Sequence, residues 1–98
     1  LWEIHEAFSA QVLCNIKGLE NKDFVRQKAG VEQTFGMFPR DRMNPNGGSV
    51  ALGHTFAATG ARILSQAVKE LATMPKGNRA IVSTCADSGL GTVALLEN

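Results

Sequence analysis

The stretch Asn44–Arg62, NPNGGSVALGHTFAATGAR, decides how the rest of the chain is read. It opens with Asn-Pro-Asn-Gly-Gly, a turn that neither a helix interior nor a central strand tolerates, because proline brings no N–H and clashes with the preceding turn. His54 stands directly behind Gly53, and the small residues Ala57, Ala58, Gly60 and Ala61 follow. Glycine beside a polar residue marks an unusual backbone angle or a close approach. Small residues at a helix start also let a neighbouring element come near. On these residues alone two readings stay open: a glycine-rich turn around a buried, satisfied histidine, or a loop that presents His54 for chemistry.

Downstream, apolar residues at helical spacing (Ala57, Ala61, Leu64, Val68, Leu71) predict a helix from about Phe56 to Met74. Pro75, Lys76 and Gly77 stop it. AIVSTCA, Ala80 to Ala86, is a short β-branched run, and TVALL, Thr92 to Leu96, is a second. Asp87, Ser88 and Gly89 between them supply a turn, so the two runs predict a hairpin. With the helices on either side this makes a layered α/β unit.

Upstream, Leu1 to Lys17 reads as a helix. Ile4, Phe8 and Val12 form an i, i+4 row, Ala7, Ala10 and Cys14 lie nearby, and Leu13 and Ile16 widen the stripe around most of the circumference. A helix that apolar needs cover on nearly all sides, which 98 residues scarcely provide, so a missing partner is expected. Asn21 or Asp23 caps a short helix carrying Phe24, Val25 and Ala29, with Gly30 as its stop. Phe35, Met37 and Phe38 are the expected core anchors of the irregular segment that follows.

Composition narrows the function classes. The hydrophobic share of 44% is that of a folded domain, and one small domain is the most this length allows. The net charge of +1 comes with no basic run, so neither nucleic acid nor an anionic membrane is an expected partner. No apolar run approaches the ~20 residues that span a bilayer. Cys14 and Cys85 form no CxxC pair, and with His5 and His54 they lack the spacing of a zinc site, so no metal is expected. Reduced thiols point to an intracellular compartment.

Three polar residues lie at structural transitions: His5 in HEAF, His54 behind the glycine turn, and Cys85 at the end of a strand. An imidazole and a thiol are the minimum kit for thiol-based acyl transfer, since one takes a proton near neutral pH and the other is nucleophilic as a thiolate. Singly, each has a plainer reading. Cys85 is also a small buried residue type, and His5 also serves to start a helix.

HEAFSAQ, NPNGGSVALGHTFAATGARI and STCADSGLGTVALLE together resemble the three C-terminal signature blocks of the thiolases, in the family's order and over essentially the whole chain. HEAF, where biosynthetic acetoacetyl-CoA thiolases commonly have NEAF, resembles the β-subunit of fatty-acid-oxidation trifunctional complexes, as does the long segment before the glycine turn. The resemblance implies an α/β fold of two similar halves packed back to back. Residues 1–98 would be a partial thiolase C-terminal domain, layered αβα, with a mixed sheet and a buried central helix. The N-terminal half, which carries the family's nucleophilic cysteine, would be absent, and neither Cys14 nor Cys85 takes that role.

Carried over by position, the resemblance makes His54 the activator of the nucleophile and a donor to the thioester oxygen. Cys85 becomes the second catalytic cysteine, which moves a proton at carbon or at the incoming thiol. His5 becomes the residue that holds a water in an oxyanion hole. Asn46, Gly53, Asp87 and Gly89 fall in the oxyanion and active-site loops. The implied reaction is that of an acetyl-CoA C-acyltransferase in fatty-acid β-oxidation: 3-ketoacyl-CoA and CoA give acetyl-CoA and a shortened acyl-CoA. Coenzyme A is substrate, and no cofactor is implied.

The implied partners are the missing half, a homodimer or tetramer, and a hydratase/dehydrogenase subunit. The implied location is mitochondrial in a eukaryote and cytoplasmic in a bacterium. Two departures stand out. Thr55 replaces the family's proline beside His54, and Asp87-Ser88 replaces a glycine-rich run after the second cysteine, setting a carboxylate near an oxyanion position. A catalytically weakened or non-catalytic thiolase-like subunit, and a condensing enzyme of the ketoacyl-synthase type, are the alternatives.

Overall fold

The glycine-rich stretch sits at one end of a small mixed sheet. The computed structural model describes all 98 residues. Strand β1 (Trp2–Ile4) pairs in parallel with β2 (Arg79–Cys85), and β2 pairs antiparallel with β3 (Gly91–Glu97), giving the order β1-β2-β3. Helix α1 (Ser9–Glu20) and helix α2 (Lys22–Ala29) follow β1. A 3₁₀ turn at Arg40–Arg42, the short helix α3 (Ser49–Leu52) and helix α4 (Thr59–Thr73) precede β2.

Register fixes the layers. Glu3 pairs with Val82 and Ile4 with Ser83, so alternate residues of β1 face opposite sides of the sheet. On one side Ile63, Ala67 and Leu71 of α4 bury against Ala80 and Val82 of β2. On the other, Ile4 packs with Val12 and Ile16 of α1 and with Phe38. Trp2 closes this second cluster, its ring 4.8 Å from that of Phe38. Each large aliphatic side chain buried here contributes on the order of 1.5–3 kcal/mol. Helix, sheet and helix therefore stack as an αβα unit.

The hairpin forms as its residues predict, with Cys85 opposite Gly91 at its closed end. Helix α2 also forms as predicted: the Asn21 side chain accepts from Phe24 N–H at 2.9 Å, and Gly30 ends the helix in the left-handed region. Three expectations change. Leu1–Lys17 is not one helix. Its first residues are a strand, because Leu1 and His5 bond to β2 (Ile81 N–H to Leu1 O, His5 N–H to Ser83 O), and the helix begins at Ser9. Phe38 is buried as expected, but Phe35 and Met37 are 58% and 89% exposed. In α4 the buried row is Thr59, Ile63, Ala67 and Leu71, whereas Leu64 and Val68 face outward. Both rows have i, i+4 spacing, and the sheet selects the one that fits over Ala80 and Val82.

Candidate active site

The sheet ends, at the carboxyl ends of β1 and β2, in a groove of about 810 Å³. His5 follows β1 on the α4 side of the sheet, the same side as Glu3. Its ring is buried, 5% exposed, and its Nδ1 is hydrogen-bonded to Ser49 Oγ at 3.0 Å. His54 reaches the same wall from the glycine loop. The two ring centroids lie 4.4 Å apart, and Phe56 meets His54 edge-on at 4.7 Å. Cys85, half-buried at the end of β2, lines the same groove with Thr84, Phe8 and the turn at residues 87–89. The thiol of Cys85 points to Gln11 Oε1 at 3.9 Å.

Local structure sets the chemistry of each imidazole. Gly53 has φ +95° and ψ 161°, a combination essentially restricted to glycine, and so turns the chain from α3 into the His54 loop. The Thr59 hydroxyl donates to Thr55 O at 3.1 Å and therefore accepts from His54 Nδ1–H at 2.7 Å. That leaves Nε2 of His54 without a hydrogen-bond partner in the chain, the nitrogen through which the ring can meet a substrate or nucleophile. His5 differs. Burial, then the neighbouring His54 and Arg62, hold its pKa below the usual 6.5, opposed only by Glu6.

Of the residues named from sequence, His5, His54, Cys85, Asp87 and Gly89 meet at the groove. Asp87 accepts from Ser88 N–H at 2.8 Å, so its carboxylate is turned onto its own loop. Ser88 takes φ +61°, a left-handed angle that a side chain makes unfavourable, and Ala57 beside His54 takes φ +65°. Asn46 lies away from the groove, its amide bonded to Glu70 of α4.

The residue that sequence reading missed is Asn44, buried and with φ +46°. Its backbone N–H donates to Trp2 O at 2.8 Å, and its side chain accepts from Ile4 N–H at 2.8 Å and donates to Ile4 O at 2.9 Å. An asparagine that opens a turn ahead of proline was the available signal. No group of three His, Cys, Asp or Glu side chains converges in a way that would hold a metal ion.

Two imidazoles and a thiol around an open groove at the end of an α/β sheet form a site suited to proton transfer and acyl chemistry. A family model for the thiolase C-terminal domain matches residues 1–98, and the chain belongs to that family. It is similar to the 3-ketoacyl-CoA thiolase of Photorhabdus laumondii subsp. laumondii, with 44% identity over 97 residues, 99% of this chain and 22% of the relative. The 3-ketoacyl-CoA thiolase of Photobacterium profundum is 43% identical with the same coverage.

Among solved structures, the peroxisomal 3-ketoacyl-CoA thiolase of Saccharomyces cerevisiae superposes with a TM-score of 0.64 at 29% identity, over 97% of this chain and 22% of that one. That protein is a five-layered α-β-α-β-α structure made from two core domains of identical topology. The chain thus spans about a fifth of the length of the relatives it matches.

Proposed function

We propose that the native product carrying these residues is a 3-ketoacyl-CoA thiolase acting in fatty-acid degradation. The observation that carries the reading is the meeting of His5, His54 and Cys85 at one groove, from three segments far apart in sequence. In this reading a cysteine thiolate elsewhere in the product attacks the 3-keto carbon. The Cα–Cβ bond breaks, leaving an acyl thioester on that cysteine and the enolate of acetyl-CoA. Cys85 delivers the proton that converts the enolate to acetyl-CoA. It then takes the proton of incoming CoA, whose thiolate attacks the acyl thioester, releases the shortened acyl-CoA and frees the first cysteine.

His54, with Nε2 bare, removes the proton of the attacking cysteine at the outset. Together with His5 it places donors near the thioester oxygen, where negative charge develops. Splitting the reaction through a covalent thioester divides one difficult step into two. Homodimers or tetramers, a hydratase/dehydrogenase partner and, given the bacterial relatives, a cytoplasmic location complete the proposal.

The test is thiolysis of 3-ketoacyl-CoA by the native product and by its His54→Ala variant. The variant is expected to lose at least about 10²-fold in kcat with its fold retained. Unchanged turnover in the variant sinks the assignment. A second reading, a weakened thiolase-like subunit, is favoured by Asp87 on the groove wall and by the left-handed Ser88. Full thiolysis by the unaltered product removes it. Activity that appears only after Asp87→Gly and Ser88→Gly establishes it.

A further inference from the structure

The two histidines come from distant segments, and what joins those segments is a polar latch behind them. Glu6, the residue after His5, spans to the glycine loop. Its Oε1 accepts from Asn44 Nδ2 at 2.8 Å and its Oε2 accepts from Val50 N–H at 3.0 Å. Asn44 in turn holds Ile4, the residue before His5, through both its N–H and its C=O. Both neighbours of His5 are thus tied to the 44–50 segment, and the His5 ring itself bonds to Ser49 within it. Gly48 makes the approach feasible, because a Cβ at that position would collide with the Glu6 carboxylate.

The Asn44 carboxamide meets Ile4 as a peptide group of a neighbouring strand would, continuing the bridge between Trp2 and Met43 along the free edge of β1. A donor–acceptor pair of this kind has one register only. A slip along β1 would break the whole set of side-chain bonds at once.

We propose that Glu6 and Asn44 are positioning residues whose mutual hydrogen bond sets the spacing of His5 and His54. The proposal rests on the reading of these histidines as an acyl-transfer site. A displacement of the rings by about an ångström is enough to cost roughly one to two orders of magnitude in turnover.

The experiment uses the full-length native product and three variants: Asn44→Asp, Glu6→Gln and the double variant. Asn44→Asp keeps the shape but sets a carboxylate against Glu6 and Ile4 O. Its kcat for thiolysis is expected to fall about tenfold or more, with KM for CoA within about threefold of wild type. Glu6→Gln alone retains the Val50 contact, sets an amide against an amide and falls less. In the double variant the donor and acceptor change places: the new amide at position 6 donates to the new carboxylate at position 44. Its kcat therefore recovers at least about threefold over Asn44→Asp.

The second readout is independent of turnover. Histidine ring 13C resonances, assigned with His5→Asn and His54→Asn, report the pH midpoints of both rings. Asn44→Asp shifts both midpoints, and the double variant returns them toward wild type. Wild-type kcat in both single variants overturns the proposal. So does a double variant no better than Asn44→Asp. If Asn44→Asp does not fold, Glu6→Gln decides on turnover, since loss of the Glu6 charge lowers the His5 midpoint by itself: wild-type kcat overturns the latch, and a fall in kcat supports it. A product that performs no thiolysis, yet shows the displaced and restored midpoints, retains the latch and loses the thiolase reading.

Discussion

Glu3 is the residue most at odds with its surroundings. It is 1% exposed, its Oε1 has no hydrogen-bond partner, and its pKa rises from 4.5 to about 7. Burial is the main cause and the nearby Glu70 adds to it, with Arg62 opposing. A carboxyl with a raised folded pKa stabilises the fold fully below about 4.5 and loses that contribution as pH rises toward 7. His5 has the opposite slope, because its lowered pKa costs stability as pH falls below 6.5. Glu3→Gln removes only the first slope. In the native product its melting temperature relative to wild type is expected to be several degrees more favourable at about pH 8 than at about pH 5, each pKa unit being worth about 1.4 kcal/mol. Equal shifts at both pH values contradict this.

At the scale of elements, the C-terminal end of α4 is closed by a residue from beyond β3. Asn98 Nδ2 donates to Leu71 O at 2.5 Å, which also accepts from Met74 N–H, and to Met74 O at 3.0 Å, so the side chain ties the last turn and its cap together. Asn98→Ala is expected to cost about 1 kcal/mol, read by chemical denaturation of the native product. An unchanged midpoint excludes the cap.

Elements also separate what the sequence discloses from what it conceals. Helix α2, the hairpin and the glycine loop carry their own punctuation in Asn21, Gly30, Asp87-Ser88-Gly89 and Pro45, so local chemistry declares them. Strand β1 does not. WEI is a short run with no turn before HEAF, and its strand identity comes from Ile81 and Ser83, at the far end of the chain. The site divides the same way. His54 and Cys85 announce themselves at a turn and a strand end, whereas Asn44 acts through Ile4 and Glu6, contacts that only the folded chain creates.

As a whole the chain is thinly covered. Only 16 of 98 residues are buried, and Phe8, Phe56, Leu90, Val93 and Leu95 are each more than three-fifths exposed. The first three lie beside the groove or its closing turn, and the last two lie along β3, an edge strand with an unpaired flank. So much bare apolar surface favours association. Residues 1–98 prepared alone are expected to show no cooperative thermal transition as a monomer and to self-associate in sedimentation. A monomer that melts sharply refutes this.

The register of the sheet settles one more matter. Leu1 bonds to Arg79 and Asn98 to Asn78, so residues 1 and 98 emerge together at one end of the strands, while His5 and Cys85 occupy the other. The length of β2 separates the two ends, roughly 20 Å at about 3.3 Å per residue. A fluorophore carried on the side chain at position 98 would therefore sit a strand's length from His5 and Cys85, at the opposite end of the sheet from the groove.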